Sequence, residues 1–280
     1  MESQLEPVIR LLAENGWPFR LHATYDESIN RALNVYEKVN KEIPINKLNW
    51  FFDHAETVTD ANLERIKALN GGIAIQHRMA YQGEYFIDRY GTAQTKRSPP
   101  IRKMLEMNIP VGAGTDATRV ASYNPWICLY WLVAGKTLGG TSLYDSDNTL
   151  ERLEALKLYT IGSAGLSREA DKKGMLSAGM YADMAVLSED YFAVQDAAIK
   201  DITSYLTVLG GKVVYGVKEF AHLDQNKNLP VSPDWSPVGH YGAEFQQRLH
   251  KMPLDCHLGN SCKDHQSSNP WSFGCDCFAF

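Results

Sequence analysis

The sequence predicts an α/β fold made of repeated βα units, of the kind that close into a parallel barrel. Three short apolar runs carry that prediction: Phe19–Thr24, Trp50–Glu56 and Val111–Ala117. Each is short enough for a strand buried on both faces, and each is followed by turn chemistry and then an apolar pattern of helical period. Toward its downstream end each carries a polar side chain able to bind a metal: His22, His54 and Asp116. A parallel barrel gathers the C-terminal ends of its strands into one mouth, so three residues far apart in sequence are expected to share a site.

The elements follow in order. Met1–Asn15 reads as a helix. After the first strand, Ile29, Leu33 and Tyr36 mark one helical face, with Asp26 as N-cap. After the second, a helix runs from Thr59 through Leu63, Ile66 and Leu69, and Gly71-Gly72 is expected to supply the left-handed residue that stops it. Ile73-Ala74-Ile75 forms the next strand, ending at Gln76-His77-Arg78. Ala80 to Ser98 reads as a long loop rich in Tyr, Gly and charge, placed where substrate-facing loops lie. The next helix takes Ser98 as cap, Pro99 at its first position and Ile101, Met104 and Leu105 as its apolar face. A helix over Thr149–Tyr159 completes the βα pattern.

The chain then changes character. Lys173–Gly179 is turn-rich, Ala182–Leu187 reads as a strand, and Gly210-Gly211 between Ile202–Leu209 and Lys212–Tyr215 is a hairpin signal. The expected division is residues 1–171, a small β unit over 172–222, and an irregular tail over 223–280. In the tail, Cys275-Asp276-Cys277 is too tight and Cys256 to Cys262 too wide for the paired spacing of zinc sites. A structural metal and an incidental set of cysteines both stay open there. His222, His240 and His250 read as ordinary hydrogen-bonded histidines.

Composition narrows the function classes. With 280 residues, 44% of them apolar, the chain can bury a core, and no apolar run is long enough to span a bilayer. A net charge of -5 argues against a nucleic-acid face. Glu2, Glu6 and Pro7 stand where a secretory signal would need basic and then apolar residues, so a cytoplasmic protein is expected. Neither nucleic acid nor membrane is an expected partner.

The motifs Leu21-His22-Ala23, Asp53-His54-Ala55-Glu56 and Gly112-Ala113-Gly114-Thr115-Asp116 resemble those of the amidohydrolase superfamily. The closing Gly174-x-Leu176-x-x-Gly179-x-x-Ala182-Asp183-Met184-Ala185-Val186-Leu187 and Gly210-Gly211-Lys212-Val213-Val214-Tyr215 strengthen the likeness. The branch it resembles includes N-substituted formamide deformylases and is related to D-aminoacylases, and the likeness spans about residues 5–220.

The resemblance implies a metal-dependent hydrolase of non-peptide carbon–nitrogen bonds, acting on a small amide-type substrate through metal-activated water, zinc being the expected ion. It implies His22 and His54 as ligands and Asp116 as ligand and general base. It also implies Glu56 and Asp53 as residues that orient His54, and His77 and Arg78 as groups that bind or polarise the substrate carbonyl. Tyr25, Tyr81, Tyr85 and Trp126 read either as pocket lining or as core. The superfamily's first barrel strand carries a His-x-His pair, and this sequence has none. The resemblance therefore implies a partial (β/α)8 TIM barrel of about strands 5 to 8, followed by a small β-sandwich-type unit. The expected partner is a missing N-terminal half or a second copy in a homo-oligomer. The alternative is a catalytically incompetent fragment, or a binding or assembly subunit with a vestigial metal site.

Overall fold

The computed structural model describes residues 2–117 and 121–224. The first compact unit runs from Met1 to Leu223 and the second from Asp224 to Phe280, so nearly all of the second, with its cysteines, His240 and His250, lies outside the described residues. The elements of the first unit are α1 (Glu2–Glu14), β1 (Phe19–Ala23), α2 (Asp26–Asn40), β2 (Trp50–His54), α3 (Asp60–Ala68), β3 (Gly72–Gln76), α4 (Arg78–Thr95), α5 (Ile101–Glu106) and β4 (Val111–Gly114). They continue with α6 (Pro125–Ala134), α7 (Arg152–Lys157), a π turn over Leu158–Gly162, α8 (Ser163–Leu166), β5 (Met184–Leu187), β6 (Ser204–Leu209) and β7 (Lys212–Gly216).

Strands β1 to β4 form one parallel sheet in sequence order, as the βα reading requires. Its register pairs Leu21 with Phe52, Phe52 with Ile73 and Ile73 with Val111, so one row of side chains crosses all four strands. That face meets the helices. Tyr36 of α2 lies edge-on to Trp50 at 5.1 Å between ring centroids and stacks on Phe52 at 5.7 Å, with Ile29, Leu33, Leu63 and Ile66 sealed around them. Burying each such side chain contributes about 1.5–3 kcal/mol. The other face carries Arg20, His22, Phe51, Asp53 and Ala74, and at its β3–β4 end Leu166 of α8 packs over Gly72 and Gly112.

Several local expectations need correction. Tyr25, not Asp26, is the N-cap of α2; the Asp26 carboxylate instead accepts hydrogen bonds from the Thr59 backbone N–H at 2.7 Å and the Asn62 amide at 2.8 Å, tying α2 to α3. Thr59, read from sequence as the start of this helix, is its N-cap, the hydroxyl accepting from the Asn62 N–H. The left-handed residue after α3 is Asn70 (φ 56°), whose short polar side chain tolerates that conformation. Gly71 is needed for space: a Cβ there would lie 2.3 Å from the Trp50 ring, which its own Nε1 bond to the Leu69 carbonyl holds in place.

The segment expected as a loop over Ala80–Ser98 is mostly helix α4. Met79, Ala80, Gly83 and Phe86 recur at helical spacing and are buried, and that stripe outweighs the segment's polarity; Gly91 (φ 79°) kinks it. Helix α5 begins at Ile101 behind Pro100, and Ser98 serves α4 instead, its hydroxyl donating to the Gln94 carbonyl. The helix expected over Thr149–Tyr159 starts at Arg152 with a Glu151–Glu154 capping box. Among the described residues the small β unit is one three-stranded antiparallel sheet, β5-β6-β7, in place of a two-layer sandwich, because Met184, Val186, Val214 and Tyr215 stay partly exposed with no second layer over them. Gly210 and Gly211, both at positive φ, make the expected hairpin turn.

The pinned Trp50 ring gives a direct test of the core. Gly71→Ala is expected to lower stability by about 1–3 kcal/mol through overpacking, read as a lower urea midpoint with unchanged m.

Candidate active site

The C-terminal ends of β1 to β4 form a rim, and the sheet's open face below it carries a cavity of about 430 Å³. His22, His54, Gln76 and Asp116 line it, together with Arg20, Asp53 and Ser163. The parallel register brings them together, since it sets His22 opposite Asp53, Ala23 opposite His54, and Gln76 opposite Gly114.

Regular alternation would send the side chain of His54 to the face opposite that of Asp53. His54 escapes that rule through its backbone, at φ 85°, followed by Ala55 at φ 58°. Asp116 is likewise left-handed, at φ 50°. For non-glycine residues such conformations cost of order 1–3 kcal/mol and cluster at functional sites. The result is convergence. The His22 and His54 rings meet edge-on at 4.2 Å between centroids, and His54 Nε2 stands 3.9 Å from Asp116 Oδ2. His54 is buried, whereas His22 is exposed toward the cavity.

Two imidazoles and a carboxylate are the donor types a borderline divalent ion prefers. In type the set fits such an ion. Among the described residues, however, no group of three His, Cys, Asp or Glu side chains closes tightly enough to hold one.

A buried polar layer supports His54. The Gln76 amide Nε2 lies 3.0 Å from His54 Nδ1 and donates to Glu56 Oε1 at 3.0 Å, while Gln76 Oε1 accepts the Arg78 backbone N–H at 2.6 Å. Glu56 Oε1 is 3.7 Å from His54 Nδ1 and 3.9 Å from Arg78 Nε. The Arg78 side chain is thus buried beside Glu56 and does not line the cavity. Asp53 points elsewhere, pairing with Arg20 at 3.2 Å, and burial raises its pKa. Burial, reinforced by the neighbouring His54, lowers the pKa of His22.

His77 is fully buried at the start of α4, and its ring nitrogens have no hydrogen-bond partner among the described residues. Burial pushes its pKa down to about 4; the Gly114 backbone opposes the shift without meeting hydrogen-bond geometry, and the Asp116 charge opposes it too. Of the aromatic candidates, Tyr85 is exposed, the Tyr81 hydroxyl accepts the Ser122 N–H, and neither they nor Tyr25 nor Trp126 line the cavity. His222 bonds the Glu219 carbonyl on the surface. Sequence reasoning missed Gln76 as a site residue. Its signal was there, a long amide at the same strand-end position as the two histidines.

The buried neutral imidazole of His77 implies a pH dependence. Its folded pKa lies below the ordinary value of 6.5, so its contribution is complete above that pH and is lost as pH falls toward 4, where the unfolded chain takes up the proton first. Urea midpoints compared at pH 7.5 and 4.5 are expected to fall less in His77→Gln than in wild type, by up to about 3 kcal/mol in stability.

Several known proteins are similar to this chain. Residues 1–215 match the model of an amidohydrolase family. YtcJ of Bacillus subtilis (strain 168), named as an amidohydrolase, is 29% identical over 218 residues, which are 76% of this chain and 40% of that protein. The N-substituted formamide deformylase of Arthrobacter pascens is 24% identical over 202 residues, 71% of this chain and 37% of the enzyme. A solved metal-dependent hydrolase from Pyrococcus horikoshii OT3 superposes with a TM-score of 0.59 at 25% identity, over 70% of this chain and 38% of that one. The chain thus spans about two fifths of the length of these relatives. Among the described residues no helix is long and apolar enough to cross a membrane. With its motifs at the strand ends and its family match over most of its length, the chain belongs to the amidohydrolase family.

Proposed function

We propose that this chain carries part of the active site of a metal-dependent hydrolase that cleaves non-peptide carbon–nitrogen bonds in small amide-type substrates. His22 and His54 serve as metal ligands and Asp116 as ligand and general base. The observation that carries the reading is the meeting of two imidazoles and a carboxylate at one rim of a parallel sheet, the 3.9 Å approach of Asp116 to His54 included. The relatives' names agree with it. A divalent ion, zinc above all, would lower the pKa of a water toward neutrality and polarise the substrate carbonyl.

The chain's own residues supply the rest. Asp116 Oδ2 accepts the proton of the attacking water and returns it to the leaving amine nitrogen. Glu56, buried behind His54, holds that ring's orientation. His77 is fully buried and does not line the cavity, so in this reading it packs behind the site as a neutral imidazole and does not touch the substrate. Because the chain spans about two fifths of its relatives and lacks a His-x-His pair, the reading takes it as part of a (β/α)8 barrel whose other strands supply further ligands. Those strands come from an N-terminal half in preference to a second copy, since another copy would bring no His-x-His pair either. A purely structural or assembly role is not favoured, since it leaves the convergence of all three polar side chains unexplained.

Zinc content by plasma mass spectrometry tests the ligands. His22→Ala/His54→Ala is expected to weaken zinc affinity by at least about 100-fold while circular dichroism is unchanged. Asp116→Asn should retain measurable zinc yet lose activity on formamide-type substrates when the remaining barrel strands are supplied. Unchanged zinc in the double variant would overturn the ligand assignment.

A further inference from the structure

The network behind His54 contains a detail that the hydrolase reading does not use. Gln76 holds its side-chain amide between three groups, and only one orientation of that amide satisfies them. Its oxygen must face the Arg78 backbone N–H at 2.6 Å, and its NH2 must face Glu56 Oε1 at 3.0 Å. Reversing the amide would set two donors against each other at 2.6 Å and two oxygens at 3.0 Å, both buried, at the cost of unmade hydrogen bonds. The NH2 group therefore also faces His54 Nδ1, 3.0 Å away. That nitrogen must accept, and a neutral imidazole with an acceptor at Nδ1 carries its proton on Nε2. Nε2 is the atom that faces Asp116 and the cavity.

We propose that Gln76 is a positioning residue that sets the proton of His54: it holds the metal-free ring as the Nε2–H tautomer, and Glu56 holds the other tautomer when Nε2 becomes a ligand. This rests on the assignment of His54 as a ligand for its second half only. In that half, the Nε2 proton leaves to solvent and Nδ1 takes one up, so the ring stays neutral. The Nδ1–H then donates to Glu56 Oε1, which stands 3.7 Å away and needs to approach by less than 1 Å. The Gln76 bond to Nδ1 breaks and its bond to Glu56 remains. A carboxylate accepting from the far nitrogen of a metal-bound imidazole is the arrangement that fixes ligand orientation and raises its basicity. Gln76 thus competes with metal binding, and Glu56 favours it.

The test uses the full chain, stripped of metal and labelled with ¹⁵N-histidine. At pH 8, long-range ¹H–¹⁵N spectra report which ring nitrogen carries the proton, with His54 assigned by the peaks lost in His54→Asn. Wild type should show Nε2–H, and Gln76→Leu should shift His54 to Nδ1–H. Zinc titration should then find Gln76→Leu binding about fivefold tighter than wild type, the worth of one neutral hydrogen bond, and Glu56→Gln binding about tenfold weaker or worse. An Nδ1–H tautomer in metal-free wild type would overturn the inference whatever the variants do, and the wild-type spectrum decides the point even if Gln76→Leu fails to fold. A shift confined to Nε2–H in Gln76→Leu would also overturn it. Absence of zinc binding in every form would instead count against the hydrolase ligand set, because the metal-free tautomer is read without zinc.

Discussion

The in-register parallel pairing of β1, β2, β3 and β4 is the constraint on which the rest depends. Each ladder fixes where a strand ends relative to its neighbour, and the strand ends are where the chemistry stands. The register is itself specified by hydrophobic burial. A slip of one residue would turn Phe52, Ile73 and Ile75 away from the helices and expose them, while driving Asp53 and Ala74 against Tyr36 and Ile66. Fully buried aromatic and aliphatic side chains therefore hold His22, His54 and Asp116 in place without touching the cavity themselves.

Against that rigid frame the site departs from regular structure at two points. His54 and Asp116 take left-handed backbone, and the strain aims their side chains at a common space. The residues behind them are polar and buried, and each is bound to the next: Gln76 to Glu56 and to the Arg78 backbone, with the Arg78 guanidinium beside Glu56. Such a layer would be a poor investment for stability alone, since burying polar groups costs free energy even when they are paired. Its value lies in holding an imidazole at one angle.

The open face of the sheet connects fold to function. Parallel sheets are normally covered on both faces, and here, among the described residues, one face carries helices α2 and α3 while the other is covered only in part, by α8 over Gly72 and Gly112. Arg20 and His22 lie on the uncovered side and are exposed. In the relatives this chain spans about two fifths of the molecule, and in the proposed reading the rest of the barrel walls in the cavity.

The sequence by itself determined the four parallel strands, the hairpin at Gly210-Gly211, and His22, His54 and Asp116 as strand-end residues, because burial periodicity and turn chemistry are local signals. It misread Ala80–Ser98, where polar residues on the solvent face of α4 masked a buried stripe of Met79, Gly83 and Phe86. It could not rank Gln76, since a glutamine at a strand end acquires a role only from what surrounds it. The tertiary structure alone decided that His54 leaves the alternation of its strand, that Arg78 turns inward to Glu56, and that one amide spans His54 and Glu56. Those facts depend on distances between residues 20 or more apart in the chain, and such distances exist only after the core has closed.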